Sequence, residues 1–321
     1  MRKFVYLFLL LVSFPAASFS QEEPYAQLVS RYEYDKRAPL EVKQASMIKR
    51  AGGVKIYDIS YASLKGGRVP AYLVVPRGRG PFAAILFGHW AMKGSPVRNR
   101  TEFLDEAVVL ARAGAISLLT DAPFARPGHK ETTPPFDPRD VDLYFQQVMD
   151  MRRGVDLLLA RKDVDPSRVA YVGHSYNANV GGVLAGVEKR IKTFVLMAGS
   201  LSDAEDLRSD HPEMVKLRET AGAAKVEQLI AETSWLDPAH FIGHAAPSSV
   251  LLQYAREDGF LNEKRERHYF SLVSEPKALK LYDAGHALNE EARWDRYEWL
   301  RAQIGLGQLE RAVLDKVKEV K

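Results

Sequence analysis

Residues 168–182, Arg-Val-Ala-Tyr-Val-Gly-His-Ser-Tyr-Asn-Ala-Asn-Val-Gly-Gly, constrain this chain more than any other stretch. The β-branched and aromatic run 169–172 predicts a buried strand. It stops at Gly173, and beyond Ser175 the small residues Ala178, Gly181, Gly182 and Ala185 recur as a closely packed helix requires. A strand that runs directly into such a helix places Ser175 on a sharp turn with its hydroxyl exposed at the end of a sheet. Gly173 is needed there because a side chain would collide with the neighbouring strand or helix. On its own, Gly-x-Ser is equally a device for packing a strand, a turn and a helix. Its weight comes from the residues around it.

The chain has 321 residues, 46% of them hydrophobic, enough to bury the core of one large α/β domain. Strand and helix patterns alternate and no period of 20–50 residues repeats, which excludes solenoids and propellers. The first twenty residues stand apart. Arg2 and Lys3 precede an apolar run over 4–14, then Pro15 and the small residues Ala16, Ala17, Ser18 and Ser20. This is the pattern of a secretory signal peptide cleaved before Gln21, with an uncleaved anchor as the alternative. The expected product is a secreted or periplasmic domain over 21–321 with no stable membrane association. No cysteine is present, so neither lipid attachment through a thiol nor disulfide chemistry is available. The formal charge is +4, two units of it in Arg2 and Lys3, and the cations are scattered, which implies no nucleic-acid partner.

Residues 21–47 mix charges with Tyr25, Tyr32 and Tyr34 and predict a short helix and a loop lying across the domain. Residues 54–61 and 69–75, separated by Gly66-Gly67, predict a hairpin. A continuous apolar run at 82–87 predicts a central strand buried on both faces, and 115–120 predicts another buried strand. A helix is expected over 101–113, a Pro-rich loop over 121–138 and a helix over 141–160. Strands follow at 191–197, 248–254 and 279–282. Residues 201–246 break the strand–helix rhythm and predict a small helical cap. The tail, with Leu309, Val313 and Val317, predicts a terminal helix packed on the core, a partner-binding helix being the alternative.

Serine hydroxyls need a base, and the base needs an orienting group. Gly173-His174-Ser175 resembles the nucleophile elbow of the α/β-hydrolases, although Asn177 stands where that family has glycine. The resemblance implies a mostly parallel sheet with helices on both faces and the chain order Ser, acid, His. His286, in Asp283-Ala284-Gly285-His286, follows the last expected strand and matches the base. Asp258, in Arg256-Glu257-Asp258-Gly259, follows the preceding strand and matches the acid. Asp203 and then Glu257 are the alternative acids. His174 is expected to pack beside the elbow.

Phe87-Gly88-His89-Trp90 resembles the His-Gly-x segment of dienelactone-hydrolase-like and acetyl-xylan-esterase-like enzymes, with Phe87 in place of the usual His. The resemblance implies an oxyanion hole made by the backbone N–H groups of His89 and Tyr176, with Trp90 near the acyl pocket. A register shifted by one residue is the alternative. Metal ligation by His89 and His129 competes, but no acidic or His partner stands at ligand spacing, so neither metal nor cofactor is called for. Asp121 is read as a turn and hydrogen-bonding residue ahead of a substrate contact.

These residues imply a serine hydrolase acting on a small-molecule ester through an acyl-enzyme. An amidase or peptidase of the same fold is the first rival. An inactive binding protein is the second, favoured by Asn177 and Phe87. Asn177 is expected to hydrogen-bond to backbone and leave the elbow competent.

Overall fold

The computed structural model describes residues 23–130 and 138–317. Helix α1 (Tyr25–Ser30) precedes the edge strand β1 (Lys43–Lys49) and the hairpin β2 (Lys55–Ala62) and β3 (Arg68–Val75). Strand β4 (Phe82–Gly88), helix α2 (Leu104–Leu110), β5 (Ala115–Thr120) and the long α3 (Pro138–Leu159) follow. Strand β6 (Val164–His174) then enters α4 (Tyr176–Val187) across the single residue Ser175, and β7 (Thr193–Met197) comes next. Between β7 and β8 (Ser249–Ala255) stand α5 (Asp203–Arg208), α6 (Pro212–Ala221), α7 (Ala223–Thr233) and the short α8 (Ala239–Ile242). The chain ends with α9 (Glu263–Leu272), β9 (Lys277–Tyr282), α10 (Glu290–Ile304) and α11 (Arg311–Leu314).

The nine strands of the described residues join one sheet in the order β1-β2-β3-β5-β4-β6-β7-β8-β9. The first three and β5 pair antiparallel, and every pairing from β5 through β4 to β9 is parallel. The sheet divides two cores because successive strand residues face opposite sides. Leu86 and Tyr171 point to the face covered by α3, α4 and α8, whereas Ile85, Phe87 and Val172 point to the face covered by α2 and α10. Strands covered on both faces are mostly apolar, and β5 and β7, buried at every position, admit only the small polar residues Ser117, Thr120 and Thr193. The cap helices make a small core of their own from Leu207, Leu217, Val226 and Ile230.

One expectation is corrected. The loop foreseen before residue 47 is in part strand β1, all of whose side chains are exposed. It is held by backbone pairing to β2 and buries nothing, so no hydrophobic periodicity marks it. The expected leader over 1–20 and part of the Pro-rich loop lie outside the described residues. Among those described, no helix is long and apolar enough to cross a membrane.

Candidate active site

The parallel strands end together, and the carboxyl ends of β4, β6, β8 and β9 deliver the candidate residues to one cleft. Ser175 has φ 53° and ψ −114°, a left-handed conformation strained for a side-chain-bearing residue. The close crossing of β6 and α4 enforces it. A Cβ on Gly173 would lie 2.2 Å from the Asn177 carbonyl oxygen, so only glycine lets the helix start there. The Ser175 N–H donates to the Met197 carbonyl at 2.7 Å, tying the turn to β7.

Ser175 Oγ lies 2.9 Å from His286 Nε2, and His286 Nδ1 lies 2.9 Å from Asp258 Oδ2. The second carboxylate oxygen of Asp258 accepts the Phe260 N–H at 2.9 Å, and the Asp258 side chain is fully buried. Both alternative acids are elsewhere. Glu257 is exposed, and Asp203 accepts from Asn179 Nδ2 at the foot of the cap. The cleft encloses about 750 Å³ and is lined by Ser175, His286, Tyr176, Lys93, Glu213 and Phe260. Phe260 is 45% exposed, and its ring meets that of His286 edge-on at 4.9 Å.

Asn177 is wholly buried. Its Nδ2 donates to the His89 carbonyl at 2.5 Å and its Oδ1 accepts from Gln147 Nε2 at 2.9 Å. The expected backbone partner is therefore the loop that follows β4. Tyr176 opens α4, where the first N–H groups have no intrahelical acceptor. The Trp90 N–H is committed to Glu102 Oε2 at 2.6 Å. Of the two registers considered, that commitment favours His89 as the backbone donor on this side.

The His89 ring is buried, and burial holds its pKa down to about 4. Its Nδ1 lies 2.8 Å from the Trp90 carbonyl and its Nε2 takes the Ala122 N–H at 2.9 Å. The neutral ring thus carries its proton on Nδ1 and has spent its lone pair on backbone. No group of metal-ligating side chains occurs among the described residues. Asp121 accepts the Arg100 N–H at 2.8 Å, in keeping with a hydrogen-bonding role, and burial raises its pKa. His174 does more than pack: its ring nitrogens reach Glu102 Oε1 and the His286 carbonyl. Nothing in the sequence marks Glu102, since one carboxylate in a polar segment carries no local signal.

A profile of the acetyl xylan esterase (AXE1) family matches residues 32–286, most of the chain. The chain belongs to this family. It is accordingly a serine ester hydrolase acting on carboxylic esters. The fold of this esterase is shared with the acetyl xylan esterase from Thermoanaerobacterium sp. JW/SL YS485 (TM-score 0.72, 17% identity, 87% of this chain and 93% of that one). It is shared equally with the acetyl xylan esterase from Paenibacillus sp. R4 (TM-score 0.69, 18% identity, 87% and 92%). The glucuronoyl esterase from Solibacter usitatus is more distant (TM-score 0.58, 14% identity, 88% and 92%). A search of curated proteins finds no significant match to the esterase.

Proposed function

We propose that this esterase is exported and cleaves short acyl esters, acetyl esters of carbohydrates foremost, through an acyl-enzyme on Ser175. The observation that carries the reading is the unbroken line of 2.9 Å contacts from Ser175 through His286 to Asp258. His286 Nε2 takes the proton of Ser175 as Oγ attacks the ester carbonyl, and returns it to the departing alcohol. Asp258 holds the Nδ1–H tautomer and balances the imidazolium. The N–H groups of His89 and Tyr176 receive the oxyanion, the first held in place by the Asn177 bond to its own residue's carbonyl. Water then repeats the cycle on the acyl-enzyme. The exposed ring of Phe260 beside His286 offers a flat apolar face for a sugar ring, and Lys93 and Glu213 supply polar partners in the same cleft.

One preparation tests the parts together. The full chain is expressed with its leader, recovered from the exported fraction, treated with a fluorophosphonate and weighed intact. The expected mass begins at Gln21 and carries one phosphonyl group on Ser175. Ser175→Ala takes no label and loses at least ~10⁴-fold in turnover. An unlabelled Ser175 in the parent, or a variant keeping a tenth of the activity, overturns the triad. Retention of residues 4–14 overturns the cleaved leader. Acetylated xylo-oligosaccharides, compared with p-nitrophenyl esters of increasing acyl length, then test the substrate. Faster cleavage of long acyl chains overturns the acetyl reading.

A further inference from the structure

A second buried pair of titratable side chains stands against the triad, and the triad mechanism does not use it. The side chains of Glu102 and His174 are 0% and 1% exposed, and Glu102 Oε1 lies 2.5 Å from His174 Nδ1. The other nitrogen, Nε2, lies 2.9 Å from the carbonyl oxygen of His286. Glu102 Oε2 accepts the Trp90 N–H at 2.6 Å. The Trp90 ring stacks on the His174 ring at 5.1 Å and Phe103 meets its edge at 6.5 Å.

The protons in this chain can be assigned from the acceptors. A carbonyl oxygen only accepts, so His174 Nε2 carries a hydrogen. A carboxylate oxygen and a bare ring nitrogen would repel at 2.5 Å, so a proton also lies between Oε1 and Nδ1. The pair is then either carboxylate with imidazolium or carboxylic acid with imidazole. Both forms are neutral overall and satisfy every contact. Neutrality matters because His286, whose ring centroid is 5.4 Å from that of His174, must become positive during the reaction.

We propose that Glu102 and His174 are positioning residues that clamp the loop after β4 to the main chain of the general base. Trp90 follows His89, the proposed oxyanion donor, and the His286 carbonyl belongs to the residue that moves the proton. One proton-filled chain fixes the spacing between the two halves of the machinery. This rests on the triad reading above and adds to it a device that acts through Trp90 and His286 without touching substrate.

Three variants of the full chain test it. His174→Phe keeps a ring against Trp90 and removes both hydrogen bonds. Glu102→Leu keeps most of the bulk and removes the acceptor. Each is expected to lower kcat by ~10²–10³-fold with KM within about threefold, the loss expected when oriented groups slip. Glu102→Gln can accept from Trp90 and donate to Nδ1 while Nε2 still donates to His286. It should bring kcat back to within about tenfold of the parent. A merely structural role predicts no such split between kcat and KM and no rescue. Equal kcat for Glu102→Gln and Glu102→Leu, or parental kcat in folded His174→Phe, overturns the clamp.

Phosphonylation of Ser175 in the parent separates this failure from failure of the triad. A parent that does not react sinks the triad reading. A parent and variants that react at one rate sink the clamp alone. If the apolar variants do not fold, nitrogen-15 NMR of the parent decides. His174 Nε2 should behave as proton-bearing, and a far-downfield proton shared between Glu102 Oε1 and His174 Nδ1 should persist in Ser175→Ala and be lost in Glu102→Gln. Its absence from the parent overturns the assignment.

Discussion

Asn177 shows how a single side chain can take over the work of a missing glycine. Its side chain fills the space beside Gly88, where an added Cβ would sit 2.6 Å from Asn177 Cβ. The room is thus made on β4 instead of on α4. Asn177→Leu has similar bulk but leaves the His89 carbonyl and the Gln147 amide without their partner. It should destabilise the fold by ~1–3 kcal/mol, read as a fall in Tm, and slow turnover because the His89 peptide is no longer held. An unchanged Tm would mean that the two hydrogen bonds carry no net stability. The departure at 177 was legible in the sequence, and so was its polar remedy. The compensating Gly88 was not, because it lies on another strand, and no local pattern reports a contact across a sheet.

Among the elements, those buried on both faces were legible and those held by backbone alone were not. Runs such as 82–87 are apolar end to end, so their composition announces them. Strand β1 hides because hydrogen bonding to β2 makes no demand on side-chain type. Helix α5 carries a different kind of information, in charge. Asp203, Glu205 and Asp206 crowd its first turn, where the helix dipole favours acids. Desolvation at the foot of the cap, with Asp237 and Asp206 nearby, nonetheless pushes the Asp203 carboxyl up to about 8. A carboxyl raised in the folded state contributes stability that is full below its unfolded value and is lost as pH rises through the folded one. Asp203→Asn keeps an oxygen for Asn179 and removes the titration. Its Tm should exceed the parent's by a few degrees at about pH 9, and the difference should close by about pH 4. Parallel Tm curves across that range would show that Asp203 is ionised without cost.

At the scale of the whole molecule, the segment before the sheet is fastened to the face opposite α10 by an ionic cluster remote from the cleft. Asp156 Oδ2 accepts from Arg153 Nη1 at 2.7 Å and Asp156 Oδ1 from Arg190 Nη1 at 2.6 Å. Tyr34 donates its hydroxyl hydrogen to the same carboxylate, and Arg153 Nη2 reaches the Ala38 carbonyl at 2.7 Å. Glu188 joins through Arg190 and Arg152, and Arg152 in turn binds the Tyr32 carbonyl. The Arg153 side chain is 1% exposed, so its charge has no access to bulk water. Pairs this deep contribute little net stability when intact, because desolvation offsets attraction. Removing one partner is another matter, since the remaining charge stays buried and uncompensated. Asp156→Ala should therefore cost ~3–5 kcal/mol, seen as a lower denaturant midpoint. Asp156→Asn, which keeps two acceptor lone pairs but no charge, should fall between it and the parent. Neither change touches Ser175, His286 or Asp258, so the fraction that remains folded should turn over ester at the parental rate. A midpoint shift below about 1 kcal/mol for Asp156→Ala would mean that water or a rearranged Glu188 takes the vacated place. A fall in kcat at full folding would instead couple the amino-terminal segment to the cleft, through α3 and the Gln147 contact that holds Asn177.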